Sequence, residues 1–229
     1  MKKKIFIACD TANINKVKRI IKNTRSKKID IIYKFGLEFF YSKYGRSFIS
    51  NAKKLPFFLD LKLNDIPNTS VSALKSIKDL KNIKYLTVHI SGGLEMISKV
   101  KKIAKKVNKK IKILGVTILT SLNDKSVKQV GYSNNIKHIV IKQTKLAKKA
   151  KLDGIVCSAH EIKYVKKFVG KMEIITPGIR MVKDNFDDQR RVVTPVDAFN
   201  KGASGVVIGR SITSGNIKNN FKKLLNQLS

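Results

Sequence analysis

Tryptophan is absent from these 229 residues, cysteine occurs twice, proline four times, and only 15 carboxylate side chains stand against 49 lysines and arginines. Each scarcity closes off a class of protein. Cys9 and Cys157 lie far apart in apolar, strand-like runs, and neither belongs to a C-x-x-C or Cys/His cluster, which argues against a disulfide framework, a zinc knuckle or a dithiol redox pair. Both read as buried free thiols. The apolar run after the basic start MKKK lasts only from Ile5 to Cys9 before Asp10 interrupts it, and no stretch approaches the roughly 18 apolar residues of a membrane span. A cytoplasmic protein without membrane contact is the expectation. Linkers rich in proline or glycine are missing too, and 42% hydrophobic content suffices for a sizeable core, so residues 1–229 are expected to form one domain.

What is abundant is lysine. The formal charge is +34, yet only seven of the 49 basic residues are arginines, and the lysines run along the whole chain. Specific nucleic-acid readers favour arginine, localised patches and aromatic platforms. Here the lysines recur on the polar faces of helical repeats such as VKRIIKN, KVKKIAKKV and KNNFKKLL. A solvated helix face explains them, and a compositional bias toward Lys, Ile and Asn adds to it. No specific nucleic-acid partner is expected, although polyanions will adhere at low salt.

Apolar β-branched runs alternate with these amphipathic stretches from end to end, the pattern of repeated βα units. Strands are predicted at 4–10, 30–36, 56–63, 85–90, 112–119, 154–158, 173–178 and 205–209. Helices are predicted near 13–24, 38–53, 67–80, 94–108, 137–150, 161–169, 195–201 and 212–226. Eight such units, near the length of about 250 residues usual for the fold, point to an α/β protein with a closed (β/α)8 TIM barrel. An open doubly wound sheet is the alternative.

A barrel of this kind carries its chemistry at the C-terminal ends of its strands. The polar residues comply: Asp10 ends the first strand, Lys34 lies near the end of the second, Asp60 and Lys62 end the third, and His89 ends the fourth. Thr120 and Ser121 follow the fifth, Pro177, Gly178 and Arg180 the seventh, and Gly209 and Arg210 the eighth. In DLKLNDIPNT, Asp60 and Lys62 are two apart and leave the same face of a strand, while Asp65 follows just beyond it. Unpaired, either buried charge would be very costly, so Lys34, Asp60, Lys62 and Asp65 are expected to form a charge network at the barrel mouth. A lysine in such a network can donate a proton to a developing carbanion. Oxygens of Asp10, Asp60 and Asp65 could also hold Mg²⁺, but the interleaved ammonium groups already fill the role of a cation.

Pro177-Gly178-Ile179-Arg180 and Gly209-Arg210 fall in the two loops where such barrels commonly bind phosphate, which points to a phosphorylated substrate. The polar segment from Ile179 to Arg191, containing Gln189, has the length of a closing lid. His89 is expected to support the mouth by hydrogen bonding, and His138 and His160 have no partner pattern. G-x-G-x-x-G, G-x-x-x-x-G-K-[ST] and Ser/His/Asp arrangements are absent, so dinucleotide binding, ATP hydrolysis and acyl transfer have no sequence support.

DLKLNDIPNT, the early Asp10, Lys34 in YKFG, VHISGG, TILTS, GIVCSAHE, TPGIR with DDQRRVVTP, and VIGRSIT together resemble the orotidine 5′-phosphate decarboxylase family of the bacterial type, in order over nearly the whole chain. The resemblance implies decarboxylation of orotidine 5′-monophosphate to uridine 5′-monophosphate, the last step of de novo pyrimidine synthesis, with no metal and no cofactor. It implies catalysis by Lys34, Asp60, Lys62 and Asp65, with Lys62 as proton donor to C6 and Asp60 beside the departing carboxylate. It further implies a homodimer with shared active sites, in which Asp65, Ile66 and Thr69 serve the neighbouring subunit. Asp10 and Lys34 would hold the ribose, Thr120 and Ser121 the pyrimidine, and Arg180, Gln189, Gly209 and Arg210 the phosphate, with Pro177 lining the same end. Two features depart from the family pattern: Asn64 stands where a histidine is usual, and MVKDNF follows Arg180 in place of smaller residues. Related sugar-phosphate enzymes, hexulose-phosphate synthase and ketogulonate-phosphate decarboxylase, share Asp-x-Lys-x-x-Asp and use Mg²⁺. Their pattern lacks the IPNT continuation and the TPGIR and DQRR segments that this chain carries.

Overall fold

The structure, a computed structural model, describes residues 3–181 and 193–228. In chain order it begins β1 (Lys4–Ala8), α1 (Ile14–Asn23), β2 (Asp30–Phe35), α2 (Leu37–Tyr41), α3 (Gly45–Asn51), β3 (Phe57–Leu63) and α4 (Pro67–Ser76). It continues β4 (Ile83–His89), α5 (Gly93–Val107), β5 (Lys112–Val116), α6 (Asp124–Gln129), α7 (Ile136–Lys149), β6 (Gly154–Val156) and α8 (Ile162–Val169). The last elements are β7 (Glu173–Ile179), α9 (Pro195–Lys201), β8 (Gly205–Ile208), α10 (Arg210–Thr213) and α11 (Ile217–Leu228). The strands are all parallel, pair in sequence order and close through β1 against β8, so the fold is a TIM barrel. No helix among the described residues is long and apolar enough to cross a membrane.

Alternation along each strand divides the core in two. Phe6, Ile32, Phe58, Tyr85, Leu114, Ile175 and Val207 fill the barrel, with Phe6 edge-on to Phe58 and Tyr85 at ring separations of 5.3 and 5.1 Å. Their sequence neighbours Ile5, Ile7, Leu59, Leu86 and Ile113 point outward and pack in the layer beneath the helices. Lysine stems complete the helix faces: in α5, Met96, Ile97, Val100 and Ala104 are buried while Lys99, Lys102 and Lys105 remain in water or at its edge.

Below the aromatic layer, at the N-terminal mouth, the Glu173 carboxylate accepts from Lys4 Nζ at 2.6 Å and from the Tyr85 hydroxyl at 3.0 Å, and pairs with Lys112. Burial works to raise its pKa, but Lys112 and Lys4 hold it below the ordinary value. This polar floor ties β1, β4, β5 and β7 together.

Two predicted helical stretches come out differently, and one helix was not foreseen. The stretch at 38–53 is broken into α2 and α3. Ser42 ends α2, donating both its N–H and its hydroxyl to the Phe39 carbonyl, and Gly45 then passes so close that a Cβ there would lie 1.7 Å from the Phe39 oxygen. The stretch at 212–226 divides around Gly215, whose φ of 60° suits glycine. Helix α6 was not predicted. Asn123 and Ser126 form a reciprocal capping box at its start, a signal present in the sequence but brief.

Two strands bulge at their C-terminal ends. Between Leu59 and Leu63 β3 spends four steps where its neighbour β4 takes two, from Leu86 to Val88. Strand β7 goes from Thr176 to Ile179 while β8 advances only from Val206 to Ile208. The bulges contain the two positive-φ positions of the strands, Lys62 at 49° and Gly178 at 74°. Bulges re-aim side chains, and both of these do so at the same rim.

Candidate active site

Above the aromatic layer the C-terminal mouth opens into a cavity of about 350 Å³. Its floor is apolar, from Ala8, Phe58, Val116, Val156 and Val207, and its rim holds the polar side chains. The site residues predicted at the strand ends meet there: Asp10, Lys34, Asp60, Lys62, Thr120, Pro177, Arg180, Gly209 and Arg210 all line the one cavity. Ile118, Leu119 and Cys157 also line it, and nothing in their type had singled them out.

One wall is a chain of alternating charge. Lys34 Nζ lies 3.0 Å from Asp10 Oδ1 and 3.3 Å from Asp60 Oδ2, and Lys62 Nζ lies 3.0 Å from the same Asp60 oxygen. The order is therefore Asp10, Lys34, Asp60, Lys62. Strand pairing brings it about, since Ala8 is opposite Lys34, Lys34 is opposite Phe58, and the next inward residues are Asp10 and Asp60. Exposure is least in the middle of it, 9% for the Lys34 side chain and 15% for Asp60, and greater at its two ends, 32% for Lys62 and 59% for Asp10.

Burial alone would lower the pKa of Lys34, but Asp60 and Asp10 outweigh it and hold the ammonium above its ordinary value. Burial likewise would raise Asp60, and Lys34 and Lys62 override it to keep the carboxyl below the usual carboxylate range. The two shifts agree: the charged forms sustain each other. His89 stands apart from the cavity lining; burial and the nearby Lys62 charge lower its pKa, against a smaller pull from Asp60, which favours a neutral ring.

Thr87 was missed. It is wholly buried on β4, its hydroxyl donates to Asp60 Oδ1 at 3.0 Å and accepts the Lys62 N–H at 2.9 Å. A neutral residue in an apolar run carries no signal of its own. The inward register of β4, shared with Tyr85 and His89, could have found it.

Asp65 does not join the network within the chain. It is exposed beyond β3, where its Oδ1 accepts the Ile66 N–H at 2.7 Å, and Asp10 rather than Asp65 is the second carboxylate on Lys34. Ile66, 68% exposed, and Thr69, also exposed in the first turn of α4, lie outside the cavity lining with it. Ser121 follows Thr120 but is not among the lining residues. Gln189 and most of the predicted lid lie outside the described residues. Flanking them, the Arg180 N–H donates to the Val193 carbonyl at 3.2 Å.

The sequence profile of the orotidine 5′-phosphate decarboxylase / HUMPS family matches residues 3–221. The chain belongs to that family. A relative named orotidine 5′-phosphate decarboxylase from Wolbachia sp. subsp. Brugia malayi (strain TRS) is 44% identical over 224 residues, 96% of each chain. Another of that name, from Wolbachia pipientis subsp. Culex pipiens (strain wPip), is 42% identical over 98% of each. Among solved structures, the orotidine 5′-phosphate decarboxylase of Lactobacillus acidophilus superposes with a TM-score of 0.84 at 29% identity, over the full length of both chains. The enzyme from Methanocaldococcus jannaschii, solved with the inhibitor BMP, gives 0.76 at 25% identity, again over both full lengths. With relatives so named at this identity, the chain is an enzyme of the carboxy-lyase class.

Proposed function

We propose that the chain decarboxylates orotidine 5′-monophosphate to uridine 5′-monophosphate and CO₂ through the Lys/Asp chain at the barrel mouth, without a metal or other cofactor. Family membership and the names of the relatives support the reaction and its place in pyrimidine biosynthesis. The mechanism rests on one observation, the doubly paired Asp60. Its Oδ2 sits between two ammonium groups and its Oδ1 accepts from Thr87, so the cationic partners of this carboxylate are already in place.

The phosphate is held at the far side of the cavity by Arg180, Gln189, Gly209 and Arg210, beside Pro177. Asp10 and Lys34 hold the ribose hydroxyls, and Thr120 with Ser121 the pyrimidine edge. The base then lies over the apolar floor, its C6 carboxylate against Asp60. Two like charges in one low-dielectric wall disfavour the bound ground state, and that repulsion disappears as CO₂ departs. The C6–carboxylate bond breaks, its electron pair stays on C6, and Lys62 Nζ delivers a proton to that carbon. A proton from solvent restores the lysine. Binding energy at the phosphate end supports this unfavourable placement at the reacting end.

The exposed Asp65, Ile66 and Thr69 are assigned to the neighbouring subunit's site in a homodimer. Exposure of an isoleucine beside a carboxylate, next to a cavity they do not enter, supports that assignment.

Following loss of substrate absorbance in excess chelator tests the reading. Turnover without added metal is expected; inactivity restored only by Mg²⁺ would overturn it. Lys62→Ala abolishes turnover, whereas Arg210→Ala mainly raises KM.

A further inference from the structure

Lys62 has a backbone that lysine rarely adopts. Its φ of 49° lies in the left-handed region, where a Cβ crowds the following carbonyl. Such a conformation persists only where its surroundings hold it. The holding contact is the Thr87 hydroxyl, which takes the Lys62 N–H at 2.9 Å. The same hydroxyl gives its proton to Asp60 Oδ1 at 3.0 Å. A hydroxyl has one proton to donate and lone pairs to accept, and here it uses both functions on the two charged residues of one bulge. Thr87 is 0% exposed, and its branched Cβ restricts the rotamer from which the hydroxyl points.

We propose that Thr87 is a positioning residue for the decarboxylation, fixing the backbone of Lys62 and the plane of the Asp60 carboxylate relative to each other. The inference rests on the function proposed above. The hydroxyl stops Asp60 from rotating: with Oδ1 tied to β4, Oδ2 is the oxygen left to face Lys34 at 3.3 Å and Lys62 at 3.0 Å. Without it, the carboxylate can turn and the strained peptide can relax. The ammonium that supplies the proton then moves with that peptide. A displacement of about an ångström at a reacting group is enough to cost on the order of 100-fold in rate.

Two variants separate positioning from simple support. Thr87→Val keeps the shape and branching and removes the hydroxyl; Thr87→Ser keeps the hydroxyl. Relative to wild type, kcat for orotidine 5′-monophosphate is expected to fall roughly 10- to 100-fold in Thr87→Val with KM altered less than about threefold, and to recover to within about fivefold in Thr87→Ser. In the free enzyme, carbon-13 NMR should find the Asp60 carboxyl titrating at higher pH in Thr87→Val than in wild type, with the serine variant returning it toward the wild-type value. An unchanged kcat in folded Thr87→Val, a loss confined to KM, a serine variant no better than the valine, or an unmoved Asp60 titration would overturn the proposal. Failure of the wild-type protein to consume the substrate would overturn the proposed function instead, and the NMR titration would still decide whether Thr87 orients Asp60.

Discussion

Asp60 and Glu161 are carboxylates shielded from water in the same barrel, and their surroundings move them in opposite directions. Asp60 has two ammonium partners and is held low. Glu161, just past β6, accepts the Ser158 N–H at 2.9 Å, and burial pushes its pKa from 4.5 up to about 7 against that one hydrogen bond. The consequences for stability have opposite signs. Asp60 contributes stability above its unfolded pKa that is lost as acid protonates it. Between pH 4.5 and 7 the folded chain keeps a proton on Glu161 that the unfolded chain has released, so stability declines as pH rises through that window and stays lower above it. The decline from this residue is up to about 3 kcal/mol, less whatever partial solvation relieves. Glu161→Gln keeps an acceptor for Ser158 and loses the titration. Urea unfolding at pH 5 and pH 8 should show a smaller fall in stability for Glu161→Gln than for wild type; equal falls would refute the assignment.

At the scale of the element, the two mouths of the barrel divide the work. The polar residues at the C-terminal ends of the strands were legible because they fell at seven of the eight predicted strand ends, and an isolated charge would have carried no such information. The breaks around Gly45 and Gly215 were not legible, because each depends on a close approach or a backbone angle that helical periodicity does not record. Glu173 escaped notice for a similar reason: its partners Lys4, Tyr85 and Lys112 come from three other strands. The N-terminal mouth of such barrels serves stability. Glu173→Ala should cost about 2–4 kcal/mol, since it leaves two cations and a hydroxyl without their shared acceptor. Thermal unfolding reads that loss, while KM for orotidine 5′-monophosphate is expected to stay within twofold because Glu173, Lys4, Tyr85 and Lys112 do not line the cavity. A shift in KM with an unchanged melting temperature would reverse the division.

The whole molecule carries +34, and some of that charge covers aromatic surface: Lys145 lies 4.8 Å and Lys167 5.2 Å from the centre of the Phe168 ring. Two such subunits repel at long range, so the proposed dimer should form in a salt-dependent way. Mixing Lys62→Ala with Asp65→Ala protein tests it. In a heterodimer with a two-fold axis, one site carries both lesions and the other carries neither, so random exchange should restore about a quarter of the wild-type sites. Demonstrated heterodimers without activity would exclude shared sites. The left-handed backbone at Lys62 also bears on heat resistance. At an ordinary strand position glycine is less stable than alanine by about 0.5–1 kcal/mol, but at a positive φ the order inverts. Lys62→Gly should therefore melt above Lys62→Ala, both lacking the ammonium, so their difference isolates the backbone angle from the charge. If it does, the torsion that aims the proton donor costs the fold some resistance to heat, because any side chain there sits in a backbone conformation that glycine alone adopts freely.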